Sequence, residues 1–130
     1  MGAPGAKQDD KVVGVDTHII MVPSPGGPVP TPMPMPFVGQ LDKELSSTVS
    51  IDNKPAATRG STASNSPEHI PVGGSFQKPP SNTGTVDQGS SSVMFDGKAA
   101  ARMGDPVKTC NDPQDAPNGV IIASGTVLIG

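Results

Sequence analysis

The sequence predicts an all-β fold, a small pseudo-threefold arrangement of short β-hairpins. Three observations carry that expectation: a phrase that recurs, a composition rich in turn formers, and no segment with a helical period. Residues 49–61 (VSIDNKPAATRGS) and 93–105 (VMFDGKAAARMGD) align at an offset of 44. They share Val49/Val93, Asp52/Asp96, Lys54/Lys98, Ala56/Ala100, Ala57/Ala101 and Gly60/Gly104, with Ile51/Phe95 as an apolar match. The last residues, Thr126-Val127-Leu128-Ile129-Gly130, begin the phrase a third time. A unit that recurs and then restarts implies one supersecondary element used three times.

Composition says what must hold such a fold together. The 130 residues include 16 Gly and 16 Pro, no Trp, no Tyr, and only Phe37, Phe76 and Phe95 as aromatics. So little large apolar surface cannot build a thick core, and a small fold of this kind needs a staple. The single cysteine, Cys110, excludes an internal disulfide. A metal or a partner surface remains. The net charge of −3, without a basic run or an aromatic platform, argues against nucleic acid. No apolar stretch is long enough for a membrane span, and Met1-Gly2-Ala3-Pro4 lacks the features of a signal peptide. The expectation is synthesis in the cytoplasm, with any export by a route other than general secretion.

The elements follow in order. Residues 1–10 read as a mobile tail, and residues 11–130 as a single domain. Lys11 to Met21 is β-rich, with Val12, Val13, Val15, Ile19 and Ile20 branched at Cβ. Between about residues 22 and 36 every second or third residue is proline, which predicts a polyproline-like or extended surface strap and not a central strand. Ser46 to Ala57 and Ser90 to Arg102 read as hairpins that turn at Asp52-Asn53 and Asp96-Gly97, dipeptides that tolerate positive φ. The Ala-Ala pairs that follow allow backbones to approach closely around an axis. Residues 61–68 and 77–90 read as polar loops, and Gly119 to Gly130 as a final apolar strand pair.

Pro55-Ala56-Ala57-Thr58 and Ala99-Ala100-Ala101-Arg102-Met103-Gly104-Asp105 resemble the Pro-Ala-Ala-Arg signature of PAAR-repeat proteins. Residues 90–98 and 123–130 resemble the glycine- and serine-rich strand that precedes it. Thr58 stands in place of the arginine in the first copy, and Ala99 in place of the proline in the second. The resemblance implies a cone of β-hairpins with a metal-bound tip. Its base would sit on the trimeric β-helical spike of a contractile injection machine, either a type VI secretion system or a phage-tail-like extracellular injection particle. One cone would cap three spike chains and sharpen them for membrane puncture, with transient contact with the target membrane. It would become extracellular on firing. Some relatives carry a fused toxin domain, for which this chain leaves no room.

His18, His69 and Cys110 are the complete set of soft or imidazole ligands. Their spacing matches no local zinc motif, and each alone is an ordinary residue. Within the repeat, His18 lies four residues after Gly14, His69 nine after Gly60 and Cys110 six after Gly104. Each repeat so contributes one ligand beyond its turn glycine, and threefold packing would bring the three to one apex. Two imidazoles and a thiolate suit one structural zinc ion, with iron second. Asp16, Glu68, Asp112, Asp115 or a water would complete the shell.

Enzyme readings are weaker. Asp16, His18 and Ser24 sketch a triad without a nucleophile elbow, and Cys110 with His69 lacks an oxyanion hole. Asp105, Asp112 and Asp115 lack calcium-loop spacing. Together with what the resemblance implies, the expectation is a structural spike-tip protein and no catalysis. The alternative is an adaptor that binds cargo or a toxin through the proline strap and loops.

Overall fold

The computed structural model describes residues 2–130. Among them the regular structure consists of strands, with no helix: β1 (Ala3–Pro4), β2 (Lys11–Val22), β3 (Val29–Lys43), β4 (Ser50–Ile51), β5 (Lys54–Pro55), β6 (Thr62–Asn65), β7 (Ser75–Phe76), β8 (Thr83–Val86), β9 (Met94–Phe95), β10 (Lys98–Ala99), β11 (Pro106–Thr109), β12 (Ala116–Ile122) and β13 (Leu128–Ile129). Six strands close an antiparallel barrel in the order β2-β3-β6-β8-β11-β12 and back to β2. Closure leaves no free edge around most of the sheet. Three minimal strand pairs, β4–β5, β9–β10 and β13–β1, stand apart from the barrel.

These parts repeat three times. In the first two pairs the turns lie at Asp52-Asn53, with φ of 50° and 67°, and at Asp96-Gly97, with φ of 55° and 76°. Both central residues are left-handed, as a type I′ two-residue hairpin requires. Each pair is closed by one equivalent bond: Ala56 N–H to Val49 O (2.9 Å), Ala100 N–H to Val93 O (3.0 Å) and Gly5 N–H to Val127 O (2.8 Å). The chain then enters a ring. Ala57 N–H donates to Ala6 O, Ala6 N–H to Ala101 O and Ala101 N–H to Ala57 O, at 2.9, 2.9 and 3.1 Å. All three alanines are fully buried.

A corner follows each ring position. Lys7 N–H is accepted by Asp10 Oδ2 (2.9 Å), Thr58 N–H by Ser61 Oγ (2.9 Å) and Arg102 N–H by Asp105 Oδ2 (2.8 Å). The third residue of each corner is left-handed, at Asp9 (φ 73°), Gly60 (94°) and Gly104 (87°). The phrase that restarts at Val127 is therefore completed by residues 3–10. This corrects the expected tail: Ala3 pairs with Ile129 and Pro4 with Leu128, and Ala6 is part of the axis. Pro4-Gly5-Ala6-Lys7 kept too few letters of the phrase to be aligned with it.

From each corner one strand leads out and one returns, as β2–β3, β6–β8 and β11–β12. Val12, Ala63 and Val107 on the outgoing strands and Leu41, Val86 and Ile121 on the returning ones fill the barrel with Phe37. β6 and β8 lie inside segments expected to be loops. They alternate buried residues with half-buried or exposed ones, but with Thr, Ser, Asn and Gly in place of most large apolar side chains. A Cβ on Gly84 would lie 3.2 Å from the Phe37 ring and 3.0 Å from Val107, so the ring takes the room a side chain would need. The expected final strand pair is also corrected. β12 pairs with β11 and β2, whereas β13 pairs with β1.

The proline strap proves to be a strand. β3 pairs with β2 from Lys11↔Gln40 to Val22↔Val29. Peptide groups alternate in direction along a strand, so alternate residues face the two neighbours. Val38 O accepts from Ser66 N–H, and Val38 N–H donates to Asn65, which places the even-numbered peptide groups on the β6 side. Pro30, Pro32, Pro34 and Pro36 are all even, and β6 pairs only with residues 39–43. The prolines thus delete donors from an unpaired edge and leave the β2 ladder whole.

The axis tolerates only small side chains. Ala57→Leu should lower unfolding free energy by about 1–3 kcal/mol through overpacking, read from denaturant midpoints. An unchanged midpoint would show that the ring has spare volume.

Candidate metal centre

The barrel brings one donor from each repeat to the end opposite the hairpin pairs. β2 presents Asp16 and His18, two residues apart and hence on one face. Both are buried. His69 follows β6 on a turn held by Asn82, whose Oδ1 accepts His69 N–H (2.9 Å) and Asn65 Nδ2 (3.1 Å). Cys110 follows β11 directly and is 3% exposed. The next residues bind it to β2: Asn111 Oδ1 accepts Thr17 N–H (2.7 Å), and Asp112 N–H donates to Thr17 O (2.8 Å).

The donor atoms of Asp16, His18, His69 and Cys110 all lie within 4.8 Å of one another. Asp16 Oδ2 is 3.1 Å from His69 Nε2, 3.4 Å from Cys110 Sγ and 4.0 Å from His18 Nε2; Cys110 Sγ is 3.8 Å from His18 Nε2. Donors on a tetrahedral zinc ion stand roughly 3.3–3.6 Å apart. The cluster spans that range without a rearrangement of its strands. The rings of His18 and Phe76 meet edge-on at 5.8 Å, and those of His18 and His69 lie 4.8 Å apart, so aromatic surface covers one flank.

Electrostatics favour a cation here. Asp16 is fully buried, and its partners are the Thr109 hydroxyl, the Cys110 thiol and imidazole, with no lysine or arginine paired to it among the described residues. Burial, and then the charge of His69, push the His18 pKa down. Burial, and then Asp16, raise the Cys110 thiol to about 11, while the backbone N–H groups of Asn82 and Thr83 oppose that rise. An uncompensated buried carboxylate is costly. Two imidazoles, a thiol and a carboxylate form the borderline-soft donor set of a closed zinc site. The four residues fit a metal ion.

The structure thus brings His18, His69 and Cys110 together and adds Asp16 from the acids considered for the fourth place. Asp112 touches the far side of His18, and Glu68 and Asp115 are exposed. Gly14 is not the corner residue of the repeat that carries His18. Gly14 lies within β2, where a Cβ would come 2.5 Å from Asn118 O. The true corner residue is Asp9, and His18 follows it by nine positions, as His69 follows Gly60.

Metal uptake should displace the Cys110 proton, whereas neutral His18 has none to lose near neutrality. Raising the pH below about 11 therefore favours the bound state. Affinity should rise about tenfold per pH unit around neutrality, measured by chelator competition. A flat profile would exclude the thiolate.

The family model described as PAAR motif matches residues 76–130. That span runs from β7 through β13 and contains the second phrase, Cys110 and the restart at Val127. No curated protein matches the chain.

Proposed function

We propose that this PAAR-repeat protein is a metal-stapled cone that caps the trimeric spike of a contractile injection machine. The motif over residues 76–130 supports a spike-tip role in such systems in general. The observation that carries the finer reading is the exposed end of the three hairpin pairs. Ser50, Met94 and Leu128 occupy equivalent first positions of β4, β9 and β13 and face outward, with Met94 and Leu128 each 63% exposed. Ile51, Phe95 and Ile129 beside them turn toward Ala56 and Ala100 beneath. A single chain so offers three equivalent outward positions, two of them apolar, which matches a three-chain partner with one copy. His18, His69, Cys110 and Asp16 would hold zinc at the opposite end. When bound, the ion supplies a cross-link between the three repeats, where the fold has few aromatic contacts to offer. A structural role without catalysis is consistent with the motif.

Two outcomes follow. Native mass spectrometry of the capped spike should show one of these chains per three spike chains; a three-to-three complex would overturn the reading. Single Asp substitutions at Ser50, Met94 and Leu128 should weaken co-purification with the spike trimer and leave metal content unchanged. Full co-purification of all three variants would exclude docking through this end.

A further inference from the structure

His18 carries the one buried side-chain nitrogen or oxygen among the described residues that lacks a hydrogen-bond partner, its Nδ1. The ring is 1% exposed, so water does not reach it. Its other nitrogen, Nε2, faces Cys110 and Asp16 and is the atom available to a metal. For Nε2 to offer a lone pair, the ring proton must sit on Nδ1. A proton there, in a dry site, needs an acceptor.

The structure assigns that task to Asp112. Its Oδ2 lies 3.6 Å from His18 Nδ1, a few tenths of an ångström beyond a hydrogen bond. The same oxygen accepts Ile19 N–H at 2.8 Å, and Asp112 N–H donates to Thr17 O at 2.8 Å. Asp112 is therefore clamped to β2 by the residues on both sides of His18. A small approach of the ring closes the contact, with no change of backbone.

We infer that Asp112 is a positioning residue: it holds the His18 proton on Nδ1, fixes the ring plane and raises the donor strength of Nε2 through its negative charge. Carboxylate partners of this kind tune ligating histidines in metal sites generally. Asp112 also explains how an acid close to the cluster is not itself within the donor group. This inference rests on the metal reading of the preceding section.

The test uses the whole chain loaded with zinc. Nitrogen-15 NMR of the histidine rings should show His18 protonated at Nδ1 and free of a proton at Nε2. The opposite tautomer would overturn the proposal without touching the existence of the site. Asp112→Asn keeps an oxygen that can accept from Ile19 N–H but removes the charge. Its zinc affinity, from chelator competition at fixed pH, should fall about 10- to 100-fold, and substituted cobalt should show a shifted absorption spectrum. Unchanged affinity and spectrum would mean that Asp112 only anchors β2. Failure of the wild-type chain to bind zinc would sink the metal reading as well.

Discussion

The fold depends on closure at a crowded axis. Three backbone segments meet there, and each donates one hydrogen bond to the next around Ala6, Ala57 and Ala101. A ring of this kind exists only if the side chains at its centre are small. A methyl group fills the space and leaves the peptide groups near enough to bond. The rest is built outward from that ring, with the hairpin pairs on one side and the barrel on the other. The corner with its left-handed residue sends each outgoing strand away from the axis in an equivalent direction.

That geometry also explains why four donors scattered along the chain share one site. His18, His69 and Cys110 stand on or just beyond the three outgoing strands, at 9, 9 and 6 residues from their corner residues. Repetition places them without any local motif. The different spacing of Cys110 fits its position directly after β11, whereas His69 needs a turn to return toward the barrel axis. Asp16 enters because a strand puts residues two apart on one face, so any acid two before His18 is carried inward with it. A buried acid beside a thiol and two imidazoles is a cluster short of positive charge. A divalent ion would satisfy both the electrostatics and the need of a small aromatic-poor fold for a cross-link.

The proline segment shows how one pattern can serve two demands. A strand that lacks alternate N–H groups cannot template another strand on that edge, yet it remains fully competent toward its neighbour on the other side. The arm formed by β2 and β3 extends past the last pairing with β6 for this reason. The prolines at 30, 32, 34 and 36 all point their side chains outward, and Met35 and Phe37 turn in.

The sequence by itself determined the β class, the two Asp-led hairpin turns, the threefold plan and the three side chains able to bind a soft metal. Each rests on a local rule: positive φ demands particular residues at turns, and a repeated phrase repeats its conformation. What only the tertiary structure decided is the origin of the third repeat. Residues 3–10 share Ala6 with both other copies, Pro4 with the first and Asp10 with the second, because the ring asks only for smallness and the corner only for an acceptor. β6 and β8 were illegible for a related reason. Their inward positions are Ala63, Asn65, Gly84 and Val86, a set with little large apolar surface made sufficient by the single Phe37 ring that fills the barrel between them. The choice of Asp16 from the five acidic or solvent candidates also lay beyond sequence. It turns on which oxygen the closed barrel brings within reach of His69 and Cys110, and only the strand register fixes that.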